Sequence, residues 1–368
     1  MSALNTNYDI EIEVLSPLHI GTNQEKNWLR GIDFIRYKGD IFILDKEKVF
    51  GNLDEQSQAK YLSLISAAKL MELEQFISEQ IDPESYHKTV YGYSGKPPSN
   101  EIKTLIRGGD GKPYIPGSSI KGAIASAVFN FLFGKYHQRL KRGDDLNDSF
   151  LGSFSHSLFR YIRPYDATCD QTELCNVELF NLFNNGRQWE SGYKKDFDIL
   201  TIENFSPKAK GNFRLSLADG LGRFLMMKRG PRALPRYYDD IFLQGNTIEF
   251  LFELINAYTR EHIRREIEFF DEFPQEEDID LIIENLEKWQ EMTRQGKQSC
   301  ILRMAGGIGF HAITGDWRYQ DHVEPVYHPD QRNLIFSDRT RKKEPTRYKS
   351  RKVVRANAEV MGFVKLSV

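Results

Sequence analysis

The segment Lys112-Pro113-Tyr114-Ile115-Pro116-Gly117-Ser118-Ser119-Ile120-Lys121-Gly122 sets two serine hydroxyls and the Lys121 amine at a helix start. Pro113 and Pro116 hold the chain extended, and Gly117 permits a sharp bend. Ser118 or Ser119 is placed to cap the following helix by accepting from its first N–H groups. Those N–H groups, the positive end of the helix dipole, Ser118, Ser119 and Lys121 together suit the phosphates of a nucleic-acid backbone. The same residues also describe a plain strand-to-helix turn that binds nothing. A P-loop is excluded, because the order is Lys121-Gly122 and Ala123 stands where a magnesium-binding hydroxyl is required.

Other residues could touch RNA or act on it. Arg339, Arg341, Lys342, Lys343, Arg347, Lys349, Arg351, Lys352 and Arg355 are opposed only by Glu344, and Tyr348 sits among them. Such a mixture fits either a phosphate track with base stacking or a solvated loop. Lys228, Arg229, Arg232 and Arg236, with Tyr237 and Tyr238, follow a strand-like pattern. They read as a loop projecting from a sheet, able to contact backbone or bases, or as a hairpin loop with exposed charge. Gly306-Gly307-Ile308-Gly309 lacks the helix pattern of a dinucleotide fold, but its glycines let a backbone approach RNA closely. Trp317 beyond it either stacks on a base or belongs to the core. His19 has the near-neutral pKa of a general base, but a histidine held by a backbone hydrogen bond is the favoured reading. Asp33, between Ile32 and Phe34, reads as a strand residue rather than part of an exposed loop. No pattern asks for a cofactor or a metal.

The elements that must carry these groups follow from hydrophobic spacing. Tyr8 to Val14 alternates as a half-buried strand, and 31–37 with 40–44 form a hairpin around Lys38-Gly39. Asp45 to Phe50 begins a helical segment, and Gln56 to Gln80 reads as one helix with Tyr61, Leu64, Ile65, Ala68, Met71 and Phe76 on its apolar stripe. Tyr86 to Ile102 reads as a loop. Ile120, Ala123, Ile124, Ala127, Val128, Phe131 and Leu132 predict a helix reaching about Leu140. Lys141 to Phe154 reads as a polar, mobile insertion. Strands are expected over Phe197–Asn204, Asn212–Ala218, Gly222–Met227 and Thr247–Leu254, and helices over Leu254–Phe270 and Ile279–Gln295. The acidic link 270–278 is expected to face solvent or a basic partner, and a strand closes the chain near Glu359–Leu366.

Composition bounds the answer. The chain has 368 residues and a formal net charge of −2, so nucleic-acid binding must come from local patches rather than bulk charge. Cys169, Cys175 and Cys300 form no disulfide framework and lack zinc-ligand spacing, which suggests a reducing compartment. The polar start Met1–Asn7 and the lack of a long apolar run predict no signal peptide, no membrane span and a cytoplasmic location. Strand pairs lie too close for crossovers throughout, so the expected class is α+β. The expected organisation is a core at 1–254 with a helical insertion near 51–104, a helical segment at 255–300, and a glycine loop, basic stretch and closing strand at 301–368.

Tyr114 to Gly122 resembles the signature of the RAMP superfamily of CRISPR-associated proteins. Leu15-Ser16-Pro17-Leu18-His19-Ile20-Gly21 is similar to a second motif of that family, and Ala305-Gly306-Gly307-Ile308-Gly309-Phe310 to its late glycine-rich loop. Met361-Gly362-Phe363-Val364-Lys365-Leu366 resembles the closing strand of one branch, the terminal cap subunits of type III-A (Csm) effector complexes. The resemblance implies a ferredoxin-like (RRM-like) antiparallel core with helical insertions. It further implies a non-catalytic subunit that holds the 3′ part of a CRISPR guide RNA and caps a stack of similar subunits. Its partners would be the other Csm subunits, above all the repeating backbone subunit, and nucleases that trim the guide. The residues expected to hold RNA are His19, Gly117, Ser118, Ser119, Lys121, Arg229, Arg232, Arg236, Gly307, Gly309, Lys342, Lys343, Arg347, Lys349 and Arg351. Some relatives cut RNA with a histidine or an aspartate, which makes His19 and Asp33 the residues of an alternative endoribonuclease.

Overall fold

The computed structural model describes residues 5–22, 27–93, 95–96, 98, 100–139, 145–169, 171–184, 189–193, 199–218, 235–271, 278–307 and 350–368. The first part of the chain runs β1 (Thr6–Val14), β2 (Trp28–Leu29), β3 (Phe34–Tyr37), β4 (Asp40–Leu44), α1 (Lys46–Asn52), α2 (Glu55–Ser66), α3 (Leu70–Gln80), β5 (His87–Tyr91), β6 (Glu101–Lys103), β7 (Tyr114–Ile115), α4 (Gly117–Tyr136) and α5 (Leu146–Phe150). It continues with β8 (Ile162–Pro164), β9 (Ala167–Cys169), β10 (Thr172–Asn184), β11 (Trp189–Tyr193), β12 (Leu200–Phe205), β13 (Lys210–Leu217), α6 (Tyr238–Phe242), α7 (Thr247–Asp271), α8 (Ile279–Met292), β14 (Ser299–Arg303), β15 (Ser350–Val354), β16 (Glu359–Val360) and β17 (Phe363–Ser367).

Two large sheets result. The first has the order β14-β17-β1-β13-β9-β7, with β8 also on β13, and every pairing is antiparallel. β1, α4, β9, β13, α7 and β14 follow the ferredoxin-like alternation, with the closing strand β17 inserted beside β1. The second sheet runs β16-β15-β10-β12-β6-β2, with β11 on β10, and β3-β4-β5 make a small third sheet. This is the expected α+β class.

The cores follow from which faces are apolar. Ile10, Ile12, Phe213, Leu215 and Leu366 of the first sheet pack on Ile124, Val128 and Leu132 of α4 and Leu251, Phe252 and Ile255 of α7. The far half of α7 joins α8 in a second core, where Ile263, Phe270, Ile282 and Leu286 meet Phe180, Val353 and Val360 of the second sheet. A third core lies under α1 to α3, against Ile35, Phe42 and Leu44.

Several expectations are corrected. Thr247–Leu254 is not a strand but the start of α7, which runs through residue 254 without a break. Its threonine, isoleucine and phenylalanines mimic strand composition, while Ile248, Leu251, Phe252 and Ile255 bury one helical face. The single helix over 56–80 is two, broken where Ala68 takes φ +52°. Past that break the face rotates, so Met71 is 67% exposed and Leu73 and Ile77 are buried beside the expected Phe76. Residues 86–102 are not all loop, since β5 pairs with β4 and β6 with β12; Lys88, Thr89 and Val90 are all exposed, which hides the alternation. Of 141–154, the described part holds α5, capped by Asp145 and ending on the buried Phe150. The long strand β10 and the strand β14 had no counterpart among the expected elements. The strand expected at 222–227 and most of the acidic link lie outside the described residues.

One ionic cluster joins the two sheets. Glu266 of α7 is buried, with Oε2 accepting from Arg303 Nη1 of β14 at 3.0 Å and Oε1 accepting from Arg351 Nε of β15 at 2.8 Å. Arg303 Nη1 also lies 2.7 Å from His262 Nε2, and Arg303 Nε donates to the Met361 carbonyl at 3.1 Å. Burial would raise the Glu266 pKa, but Arg351 and Arg303, with His262, reverse this and hold it far below the usual carboxylate value. The folded state therefore binds this proton less tightly than the unfolded chain. Its contribution is present above the ordinary carboxylate range and is lost progressively as pH falls from that range toward the depressed folded value.

Removing one member leaves buried charge uncompensated, so Glu266→Gln is expected to cost ~3–5 kcal/mol in chemical denaturation. Glu359 behaves in the opposite sense. Burial, with Glu173 nearby and against a hydrogen bond from Asn357, pushes it up to about 7 from 4.5. The folded state then holds the proton more tightly, so stability declines as pH rises from the lower value to the upper. Glu359→Gln is expected to flatten that decline in melting temperatures taken across the same interval.

Candidate nucleic-acid interface

The segment that follows β1 stitches the sheets together. Ser16 Oγ accepts from the Phe363 amide at 2.9 Å, and the Gly362 amide donates to the Pro17 carbonyl at 3.1 Å. Leu18 exchanges backbone hydrogen bonds with Phe205 at the end of β12 (3.2 and 2.9 Å). His19 then faces both sheets. Its carbonyl accepts from the Gly306 amide at 2.7 Å, and its Nδ1 lies 2.7 Å from the Glu203 carbonyl. A carbonyl only accepts, so Nδ1 carries the hydrogen and Nε2 is the lone-pair nitrogen, facing Gly21. A Cβ on Gly21 would sit 2.9 Å from that Nε2. Burial holds the His19 pKa below its ordinary value; Glu203 opposes this, while Lys103 and Lys352 add to it.

Those two lysines, from β6 and β15, bring positive charge to the same place. The Lys352 amine is lowered by burial and then by Lys103. Among the described residues neither lysine has an ion-pair partner. The glycine loop reaches them through Gly307, whose φ of +83° disfavours a side chain. A Cβ there would lie 2.6 Å from Met361 Sδ and 3.6 Å from Lys352 Cδ. His19, Gly306, Gly307, Lys103 and Lys352 thus meet where the two sheets join. Their chemistry is that of an anion site, with two unneutralised amines, close glycine backbone and a neutral imidazole.

Glu203 supports this place from beneath. It is 0% exposed. Oε1 accepts from Tyr91 Oη at 2.8 Å and from Arg107, while Oε2 accepts from the Leu105 amide at 2.9 Å. Arg107 also lies over the Trp28 ring, 5.1 Å from its centroid. Burial first, and then the charge of Glu203, push the Tyr91 hydroxyl well above its ordinary pKa. Neither Glu203 nor Lys103 stood out in the sequence; the only available signal was a glutamate inside the apolar run Leu200-Thr201-Ile202-Glu203-Asn204-Phe205.

The organising turn folds as a strand and then a helix, but it is capped differently. Neither Ser118 nor Ser119 caps α4; its N-cap position is Pro116, and the Gly117 amide donates to Asp166 Oδ1 at 2.7 Å. A carboxylate therefore already meets the amino end expected to receive phosphate. Gly117 is required for contact rather than for a bend, since a Cβ would lie 2.3 Å from the Pro164 carbonyl oxygen. Ser118 is exposed and Ser119 half-buried. The Lys121 amine is lowered by burial and by Arg163, with no ion pair among the described residues.

The basic stretch divides. Arg351 is 4% exposed and committed to Glu266, so it is not part of an exposed track. Lys342, Lys343, Arg347 and Lys349 lie outside the described residues, as do Arg229, Arg232, Gly309 and Trp317. Arg236 is exposed, 5.4 Å from the centroid of Tyr237, whereas Tyr238 is buried in the core and not free to meet a base. Asp33 occupies a turn, not a strand. Its carboxylate accepts from Lys46 Nζ at 2.7 Å and from the Leu29 amide at 2.9 Å, which makes it a turn-holding residue. Among the described residues no cluster of histidine, cysteine and carboxylate has the make-up of a metal site. No helix there is long and apolar enough to cross a membrane.

Comparison with known proteins agrees with this architecture. A sequence model of the RAMP superfamily matches residues 11–320. The CRISPR-system protein Csm5 of Methanocaldococcus jannaschii is 25% identical over 229 residues, which cover 57% of this chain and 52% of that protein. Csm5 of Streptococcus thermophilus is 30% identical over 138 residues, covering 33% of this chain and 38% of the relative. The chain thus matches about half, or less, of the length of these curated relatives. A chain of the cryo-EM structure of a type III-A Csm–crRNA–target RNA ternary complex superposes with TM-score 0.72 at 18% identity, covering 98% of this chain and 100% of that one. The crystal structure of T. onnurineus Csm5 gives 0.61 at 16%, covering 96% and 99%. At these identities the two structures establish the fold.

Gly307→Val is expected to cost about 1–3 kcal/mol from its left-handed backbone alone. Thermal melting reads this, and the closeness of Met361 predicts partial recovery in Gly307→Val combined with Met361→Ala.

Proposed function

The chain belongs to the RAMP superfamily, and from that membership we propose that it is a non-catalytic CRISPR RNA-binding subunit of a type III-A (Csm) interference complex. It caps the subunit stack at the guide 3′ end and supports 3′-end maturation of the guide in antiviral defence. Its partners are the guide RNA, the repeating backbone subunit and the nucleases that trim the guide, in the cytoplasm.

One observation carries the reading: Lys103 and Lys352, without carboxylate partners among the described residues, stand beside His19 and the Gly306–Gly307 backbone. Amines and close backbone hold ribose-phosphate through charge and shape, leaving sequence to base pairing. Lys121, with Ser118 and Ser119 nearby on α4, supplies a further backbone contact. Arg229, Arg232, Gly309, Lys342, Lys343, Arg347 and Lys349, which lie outside the described residues, are assigned to RNA in this reading by their residue types and motifs alone. Cleavage would need His19 to take a proton from a 2′-hydroxyl while a second group neutralised the leaving oxygen. The His19 ring is tied to a backbone carbonyl, and Asp33 is paired with Lys46. Both therefore act as structural residues in this reading.

Expression with the genomic neighbours, followed by sequencing of copurified RNA, tests the function. Guide RNA is expected, with a 3′ end that changes when this chain is deleted. Lys103→Glu with Lys352→Glu is expected to lower guide occupancy and to reduce the salt dependence of binding by roughly 0.7–1 per lost phosphate contact. Unchanged occupancy, or specific cutting lost in His19→Ala or Asp33→Ala, would overturn it.

A further inference from the structure

A second surface lies away from that junction, between α5 and β9. Phe154 is 99% exposed, yet the backbone that presents it is anchored on both sides. Before it, Phe150 is buried, and Gly152 takes φ +86°, with the His156 carbonyl oxygen 2.4 Å from where a Cβ would stand. After it, Leu158 and Phe159 are buried, and the Leu158 amide donates to the Leu151 carbonyl at 2.8 Å. The aromatic ring is therefore held out on a closed loop whose backbone has little entropy left to lose on binding.

The cations around it are organised in the same way. Arg160 Nη1 donates to the Ser155 carbonyl at 2.6 Å, and Arg163 Nε donates to the Arg160 carbonyl at 2.8 Å. Both arginines are exposed, and neither they nor Lys121 has an ion pair among the described residues. Lys121 feels the charge of Arg163. From Ser153 to Asp166 the one carboxylate is Asp166, which accepts from the Gly117 amide. Tyr165, 55% exposed, closes the segment, with its amide on the Arg214 carbonyl at 2.9 Å.

We infer that this surface binds a single-stranded nucleic-acid segment, with a base stacked on Phe154 and phosphates on Arg160, Arg163 and Lys121. A lone exposed phenylalanine needs no explanation. A rigidly presented one flanked by unneutralised cations has the make-up of a stacking platform beside a phosphate track. A protein partner would leave these cations to find carboxylates of its own, whereas a nucleic-acid strand supplies a charge for each. The choice of RNA over DNA rests on the function proposed above.

The test is fluorescence anisotropy of the purified full chain with labelled decauridine, decadeoxythymidine and a ten-base-pair RNA duplex. Phe154→Ala is expected to weaken decauridine binding at least fivefold without changing its salt dependence or the affinity for duplex. Phe154→Trp is expected to restore binding, with its fluorescence quenched by the RNA. Arg160→Lys with Arg163→Lys, which keeps the charge but not the backbone fork, is expected to weaken binding less than the double alanine variant. Unchanged affinity in Phe154→Ala overturns the inference, as does loss of subunit copurification with RNA binding intact, which would mark a protein-docking site. Tighter binding of the deoxy strand overturns the assignment to RNA. The guide site is judged separately: should Lys103→Glu with Lys352→Glu leave guide occupancy unchanged while Phe154→Ala weakens decauridine, that site fails and this surface stands.

Discussion

The buried carboxylate of Glu266, held between Arg303 of one sheet and Arg351 of the other, sets the relation of the two halves of this protein. Each arginine is tied further. Arg303 lies over Phe363 at 5.0 Å and Arg351 over Phe269 at 3.9 Å, so neither guanidinium can turn away. A cluster of this kind contributes little net stability compared with an apolar replacement, but it penalises any other docking of the sheets, since buried charge would lose its partner. Here that specificity has a visible use. Arg303 precedes Gly306 by three residues, and Arg351 adjoins Lys352. Fixing the two arginines fixes the glycine loop and the lysine on either side of His19.

Glu203 plays the matching role on the opposite side. It gathers Tyr91, Arg107 and the Leu105 amide through its carboxylate and His19 through its carbonyl. The charge of Glu203 is thereby satisfied within the fold, and it does not neutralise the amines of Lys103 and Lys352 by direct pairing. A chain with a formal net charge of −2 can in this way present local positive potential, because its acids are consumed in internal contacts near the junction while selected cations are not. In the proposed function, that economy replaces bulk basicity as the source of affinity for RNA.

How far the sequence was legible depended on whether the signal was local. Tyr8–Val14 alternates because one face meets a core, and Ile120–Leu132 recurs with helical spacing because α4 buries a broad apolar face. Both were readable. Thr247–Leu254 was not, since its composition favoured a strand and only the packing of Ile248, Leu251 and Ile255 on one side makes it a helix. The cap of α4 was also beyond local reading, because its acceptor, Asp166, lies 49 residues away. Arg351 looked like its basic neighbours; nothing within a few residues announced Glu266. The RAMP motifs marked His19 and the glycine loop as belonging together, but not Lys103 or Glu203, which arrive on strands without any motif.

By itself the sequence determined the family, the α+β class, the core strand β1, the helix α4 and the approximate place of the glycine turn, because each is written in neighbouring residues or in a short motif. The tertiary structure decided which charges are spent and which are free. Arg351 is locked onto Glu266, Asp166 covers the start of α4, and Lys103 and Lys352 are left to share the junction at His19. Charge pairing between residues 37 to 96 positions apart is a property of how the sheets dock, and spacing along the chain carries no record of it.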